Sequence, residues 1–213
     1  MHKTFYPLFQ MLSTALPITL NLTCCTGLTT PNLTSPMPSS NIIQPTNTAL
    51  TGSTPFQQGE DAKVYFDRGM NYINKGDFER AIIEFDKALQ LNPNDAKAYN
   101  SRGLALFHTD DINRAITDYN KALQLDPDFA EAYMNRGNAY SQQGDLERAI
   151  TDYGKALQLD PNYTDAYFFR GIVYAEKGEK DKAIVDLQKV LELSNDPKLR
   201  QDAQDLLSQL GVE

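Results

Sequence analysis

The sequence predicts an all-α fold, a stack of helical hairpins closed by a C-terminal capping helix and preceded by a disordered tail. Three observations predict it. First, Tyr133, Gly137, Ala149 and Pro161 recur 34 residues earlier as Tyr99, Gly103, Ala115 and Pro127, and again as Tyr65, Gly69, Ala81 and Pro93. A fixed period of this size marks stacked units that cannot bury their apolar faces alone. Second, each unit divides into two apolar-periodic segments around Gly76-Asp77, Asp110-Asp111, Gly144-Asp145 and Gly178-Glu179, where glycine or aspartate permits a tight turn. Third, no charged residue occurs between Lys3 and Glu60.

Residues 62–95, 96–129 and 130–163 form three regular units, and 164–196 a divergent fourth with Leu187 in an aromatic position, Val190 in an alanine position and Pro197 displaced. Within each unit Gly69, Gly103, Gly137 and Gly171 are expected to face Ala81, Ala115, Ala149 and Ala183 across the hairpin, with Tyr65, Tyr99, Tyr133 and Tyr167 filling the space beside them. Pro93, Pro127 and Pro161 end each second helix, because proline lacks a donor and drives its predecessor out of the helical region. Residues 197–210 place Leu199, Ala203, Leu206, Leu207 and Leu210 on one helical face, the pattern of a cap over the last hairpin.

A large aromatic, Gly, an aromatic, Ala, an aromatic, Ala and Pro at these places in 34 residues resembles the tetratricopeptide repeat (TPR) family, over residues 62 to about 195. The resemblance implies a right-handed α-solenoid that binds protein segments. It also implies that positions 2, 5, 9 and 12 of each repeat line a concave groove. Those positions are Lys63, Phe66, Met70 and Ile73; Lys97, Asn100, Leu104 and Phe107; Glu131, Met134, Asn138 and Ser141; and Asp165, Phe168, Ile172 and Ala175. Apolar anchors would sit on Phe66, Met70, Leu104, Phe107, Phe168 and Ile172, with Asn100, Asn135 and Asn138 available to the partner's backbone. Spacing leaves Phe107 and Ile172 divided between groove and packing, and favours the groove for Phe66, Met70 and Asn138. The family's clamp for chaperone-tail carboxylates needs Lys at position 5, where this chain has Phe66, Asn100, Met134 and Phe168, so clamping is not expected.

Charge and composition exclude other classes. The net charge is −8, and all 28 acidic residues lie from Glu60 onward, a poor surface for phosphate backbones; nucleic acid is not expected as a partner. One histidine, His108, follows residue 60, with no cysteine, glycine-rich phosphate loop or metal-ligand spacing beside it, so no enzyme, metal or cofactor is expected. Each second helix repeats a base, an acid and a lysine: Arg80-Glu84-Lys87, Arg114-Asp118-Lys121, Arg148-Asp152-Lys155 and Lys182-Asp186-Lys189. This reads as a solvated ladder of pairs one turn apart. Arg68, Arg102, Arg136 and Arg170 stand where the family usually has leucine. They are expected to reach Glu84, Asp118, Asp152 and Asp186 of their own hairpins.

Residues 1–23 carry a short basic start and an uncharged apolar run broken by Pro7 and Pro17, read as a signal peptide or apolar leader. Leu22-Thr23-Cys24-Cys25 resembles a bacterial lipoprotein signal, which implies membrane attachment through a lipid on Cys24 or Cys25. The other reading makes both ordinary thiols in an unfolded tail. Residues 24–59, rich in Thr, Ser, Pro and Asn, read as a disordered tether. The expected protein is thus an exported, membrane-tethered scaffold that binds a protein segment. The alternative is an intracellular assembly factor or co-chaperone.

Overall fold

The computed structural model describes residues 61–212. The leader, the tether and both cysteines lie outside the described residues, among which there are nine helices and no strand. They are α1 (Ala62–Asn74), α2 (Phe78–Leu91), α3 (Ala96–His108), α4 (Ile112–Leu125), α5 (Ala130–Gln142), α6 (Leu146–Leu159), α7 (Thr164–Glu176), α8 (Lys180–Leu193) and α9 (Pro197–Gln209). The first eight pair into four hairpins, and α9 packs on α8.

Each hairpin turn contains one residue in the left-handed region, at φ 72° for Gly76, 64° for Asp110 and 78° for both Gly144 and Gly178. Asp110 is the one described non-glycine there, and its carboxylate accepts from Gln142 of the next hairpin at 2.9 Å. Asp77, Asp111 and Asp145 then cap the second helices, accepting the backbone N–H of Arg80, Arg114 and Arg148.

The same capping acids change the expected charge ladder. Arg80, Arg114, Arg148 and Lys182 pair backwards with Asp77, Asp111, Asp145 and Glu179 at 2.6–3.2 Å. Only Lys87 meets its predicted acid, Glu84, at 2.6 Å; Lys121, Lys155 and Lys189 reach Gln124, Gln158 and Glu192 instead. The reason is burial: Asp118, Asp152 and Asp186 are 4–5% exposed and are engaged from the first helix of the hairpin.

The second helices end as proline dictates. Asn92, Asp126 and Asp160, each just before a proline, turn out of the helix to φ of −131°, −134° and −130°. Pro197 acts differently, as the first residue of α9, where its missing N–H is no loss and Asp196 caps the N–H of Lys198.

Within the hairpins the close approach is real, but its partner differs from the sequence expectation. A Cβ at Gly69, Gly103 or Gly137 would lie 2.6–2.7 Å from the rings of Phe85, Tyr119 and Tyr153, four residues beyond the alanines. At Gly171 the neighbour is Leu187, at 3.2 Å. Glycine therefore makes room for a ring. Ala81, Ala115, Ala149 and Ala183 are themselves fully buried.

Curvature follows from which helices touch. Each first helix meets the first helix of the next hairpin, α1 to α3, α3 to α5 and α5 to α7, whereas successive second helices do not pack closely. The four hairpins thus form a solenoid with α1, α3, α5 and α7 on its inner wall. At its C-terminal end Ala203 and Leu207 of α9 are buried, with Leu199, Leu206 and Leu210 half-buried beside them, as a cap requires. On α1, Asn71 faces solvent at the place where Ala105, Ala139 and Val173 bury themselves against a preceding hairpin.

Candidate functional site

The inner wall is held in place by a repeated arginine. Arg102, Arg136 and Arg170 each donate twice to Asp118, Asp152 and Asp186, with N–O distances of 2.7–2.8 Å. These forks join the two helices of each hairpin. Each guanidinium also lies over the tyrosine one turn earlier, Tyr99, Tyr133 or Tyr167, 5.5–5.7 Å from the ring centre. Arg68 approaches Glu84 more loosely, 3.9 Å from Oε2, while Lys87 holds Oε1 at 2.6 Å. The contacts expected of Arg102, Arg136 and Arg170 within their own hairpins are the observed ones.

The arginines also make contacts that the sequence did not predict. Arg102 reaches Asp86 of the preceding hairpin at 2.6 Å, and Arg136 reaches Asn120 at 2.7 Å. The corresponding residue for Arg170 is Gly154, which offers no side chain. The junctions thus run from charged, to neutral, to none. The signal was present as a spacing of sixteen residues between partners, repeated along the chain.

The predicted groove residues separate into three groups. Lys63 and Lys97 are exposed; Phe66, Met70, Leu104, Phe107, Met134, Asn138 and Ile172 are half-buried on the inner helices. Asn100, Asn135 and Phe168 are buried, at 2%, 5% and 3% exposure, which corrects the expectation that they meet a partner. Asn135 donates to Asn100 at 3.0 Å and Asn100 donates to Glu131 at 3.0 Å, so their amides serve the junction between the second and third hairpins. Phe168 turns into the core while Phe169, one residue on, is half-buried and stacks on Tyr153 with ring centres 6.4 Å apart. Period alone could not separate these two adjacent rings.

Several half-buried residues have dual duties. Phe66 and Met70 lie against Phe85 and Ala105, and Phe107 against the cluster of Leu106, Tyr119 and Ala139. Asn138 accepts the Tyr153 hydroxyl at 2.8 Å and turns its amide toward Met134. No described element packs across the inner wall, so these side chains form an open surface with respect to residues 61–212.

Charge is unevenly distributed along the rim. Position 2, in the first turn of each inner helix, is Lys63, Lys97, Glu131 and Asp165. Desolvation, and then the nearby Asp196, hold the Asp165 carboxyl above the usual range. His108 stacks on Phe78 with ring centres 4.3 Å apart, and burial lowers its pKa. Shallow depressions of about 710, 410 and 310 Å³ lie beside the α5–α6 turn, the α8–α9 junction and α8, none of them lined by a predicted groove residue. Among the described residues no cluster of three or more His, Cys, Asp or Glu could hold a metal ion, and no helix is long and apolar enough to cross a membrane.

Repeated helical hairpins with an open inner wall define the chain as a solenoid of the kind that presents an extended surface to other proteins. Models described as TPR repeat match residues 106–144 and 137–178, and models described as tetratricopeptide repeat match 62–95, 84–117 and 164–197. The chain belongs to the tetratricopeptide repeat family. Among solved structures it is similar to MamA, at 30% identity over 63% of this chain and 79% of that one, with a TM-score of 0.60. It is also similar to TTC0263, a thermophilic TPR protein in Thermus thermophilus, at 25% identity over 70% and 83%, TM-score 0.63. A third is the first TPR of Spaghetti (RPAP3) bound to the HSP90 peptide SRMEEVD, at 27% identity over 55% and 94%, TM-score 0.54. No curated protein matches by sequence.

Proposed function

We propose that this protein is a non-enzymatic scaffold that receives a segment of another protein along its inner wall and is held at a membrane after export by an N-terminal lipid. The observation that carries the binding reading is the line of half-buried apolar side chains, Phe66, Met70, Leu104, Met134 and Ile172, on successive inner helices with no described element over them. Side chains that are neither sealed nor fully solvated gain from a partner that removes the remaining apolar surface from water. The peptide in the Spaghetti structure supports the same use of a TPR domain. Clamping of terminal carboxylates is no part of the reading, since no lysine stands at the fifth position of any hairpin.

The binding half is tested with a photoreactive side chain at Leu104 on the inner wall and, as a control, at Ile83, which is 53% exposed on α2. Cross-links to a second polypeptide are expected from position 104 and not from 83; equal yields from both refute the groove. Such a probe is preferable to truncating Asn138, whose loss would also strand the Tyr153 hydroxyl. The membrane half rests on the Leu22-Thr23-Cys24-Cys25 stretch. Mass analysis of the mature N-terminus is expected to find a fatty-acylated cysteine at 24 or 25. An intact Met1 would instead favour the intracellular assembly factor.

A further inference from the structure

We propose that the inner wall selects a bipolar segment, one with an acidic residue toward one end, a basic residue toward the other and apolar residues between them. This deepens the groove reading above and rests on it. The acidic end would lie over Lys63 and Lys97, and the basic end over Glu131 and Asp165.

The first turn of a helix carries partial positive charge, so acids are favoured there and bases disfavoured. Glu131 and Asp165 obey that rule in α5 and α7; Lys63 and Lys97 break it in α1 and α3. Residues that break a local rule without a structural return are where function is to be sought. Lys97 is exposed and has no acidic partner among the described residues. Lys63 pairs with exposed Asp67, one turn on, at 2.6 Å, and Asp61 at the N-cap adds a weaker attraction. An exposed pair of that kind is weak and readily exchanged.

The acids at the other end are equally uncompensated. Glu131 receives one neutral hydrogen bond, from Asn100, and Asp165 has no cationic partner among the described residues. Desolvation, and after it the nearby Asp196 that caps α9, hold the Asp165 carboxyl toward its protonated form. The two bases of α9, the helix that Asp196 caps, are engaged elsewhere: Lys198 with Asp202, and Arg200 with the carbonyls of Leu191 and Ser194. A cation from a partner would relieve this end, as an anion would relieve the other.

The experiment selects a displayed library of random dodecapeptides on the immobilised full-length protein. Enriched peptides are expected to carry an acid near one end and a base near the other around an apolar centre. Two reversed-charge variants, K63E/K97E and E131K/D165K, should each bind these peptides at least about tenfold more weakly at low salt, with the difference shrinking as salt rises. The fourfold swap K63E/K97E/E131K/D165K should recover binding with the peptide reversed in direction, read from a spin label at one peptide end.

Enriched peptides that lack opposed charges, yet fail to bind L104R/I172R protein that keeps its helical signal, would overturn the polarity and leave the groove standing. Peptides that bind L104R/I172R as well as the parent, or no enrichment at all, would overturn the groove reading and the polarity with it.

Discussion

The second and third hairpins are close copies in sequence, yet they bury the same tyrosine at different cost. Tyr119 and Tyr153 both sit against a glycine and are both fully buried. In the third hairpin the hydroxyl donates to Asn138 at 2.8 Å. In the second the inner-wall residue at that place is Leu104, and the Tyr119 hydroxyl is buried without a hydrogen-bond partner. An unpartnered buried hydroxyl costs about 1–3 kcal/mol, comparable to the whole contribution of a hydrogen bond. Core and groove are therefore not independent. Exchanging one wall residue for an apolar anchor leaves a polar group unsatisfied in the layer beneath it.

The largest effects expected from dissecting these two hairpins come from their arginines. Arg136→Leu leaves buried Asp152 without its fork and should lower stability by about 3–5 kcal/mol, measured by denaturant unfolding. Arg102→Leu should cost more, because the tie between hairpins that it also cuts runs to a carboxylate, Asp86, where Arg136 has only the neutral Asn120 amide. An unchanged transition in either variant would refute the structural role.

Next come the tyrosines, for which opposite signs are expected. Tyr153→Phe removes a satisfied hydrogen bond and should destabilise by about 0.5–1.5 kcal/mol, whereas Tyr119→Phe removes an unsatisfied hydroxyl and should stabilise by roughly 1 kcal/mol. Leu104→Asn should then raise stability when Tyr119 is present and not when it is combined with Tyr119→Phe, a double-mutant cycle that reads the coupling directly.

A smaller gain is expected where the series of junctions ends. Gly154→Asp places a carboxylate beside Arg170 and replaces a helical glycine, and should stabilise by about 0.5–1 kcal/mol. Thermal unfolding checks the sign, and no gain would mean that Arg170 is already fully engaged by Asp186. The smallest effect belongs to His108. Its folded pKa lies below the unfolded value, so the unfolded chain binds protons more readily, and the stability contributed by the neutral ring is present above the unfolded pKa and lost as pH falls through the folded one. Proton titration of His108 by NMR should give a midpoint below that of a model histidine. The shift should shrink in Phe78→Ala, which removes the stacked ring while Phe107 still lies edge-on to the imidazole.

Much of the molecule was legible in the letters. Positions separated by 34 residues gave the hairpins, the turn residues gave their boundaries, and the run from Leu199 to Leu210 gave the cap, because periodic burial writes itself directly into residue type. The arginine forks of the second, third and fourth hairpins were also readable, since in each of them the recurring arginine is followed sixteen residues on by a recurring aspartate. The groove was less so. Phe168 and Phe169 are adjacent rings of equal hydrophobicity, and only the rotation of α7 decides that the first is buried and the second half-buried. Asn100 and Asn135 looked available because an amide suits a partner's backbone as well as it suits another amide.

What the sequence determined by itself is the repeating unit, for a helix and its turn are fixed by interactions a few residues apart. What the tertiary structure alone decided is which buried polar groups find a partner: Asn135 meets Asn100 of the preceding unit, and the Tyr119 hydroxyl meets none among the described residues. Those outcomes depend on the distance and rotation between neighbouring hairpins, which are set by the packing of every side chain at the junction together and by no local pattern.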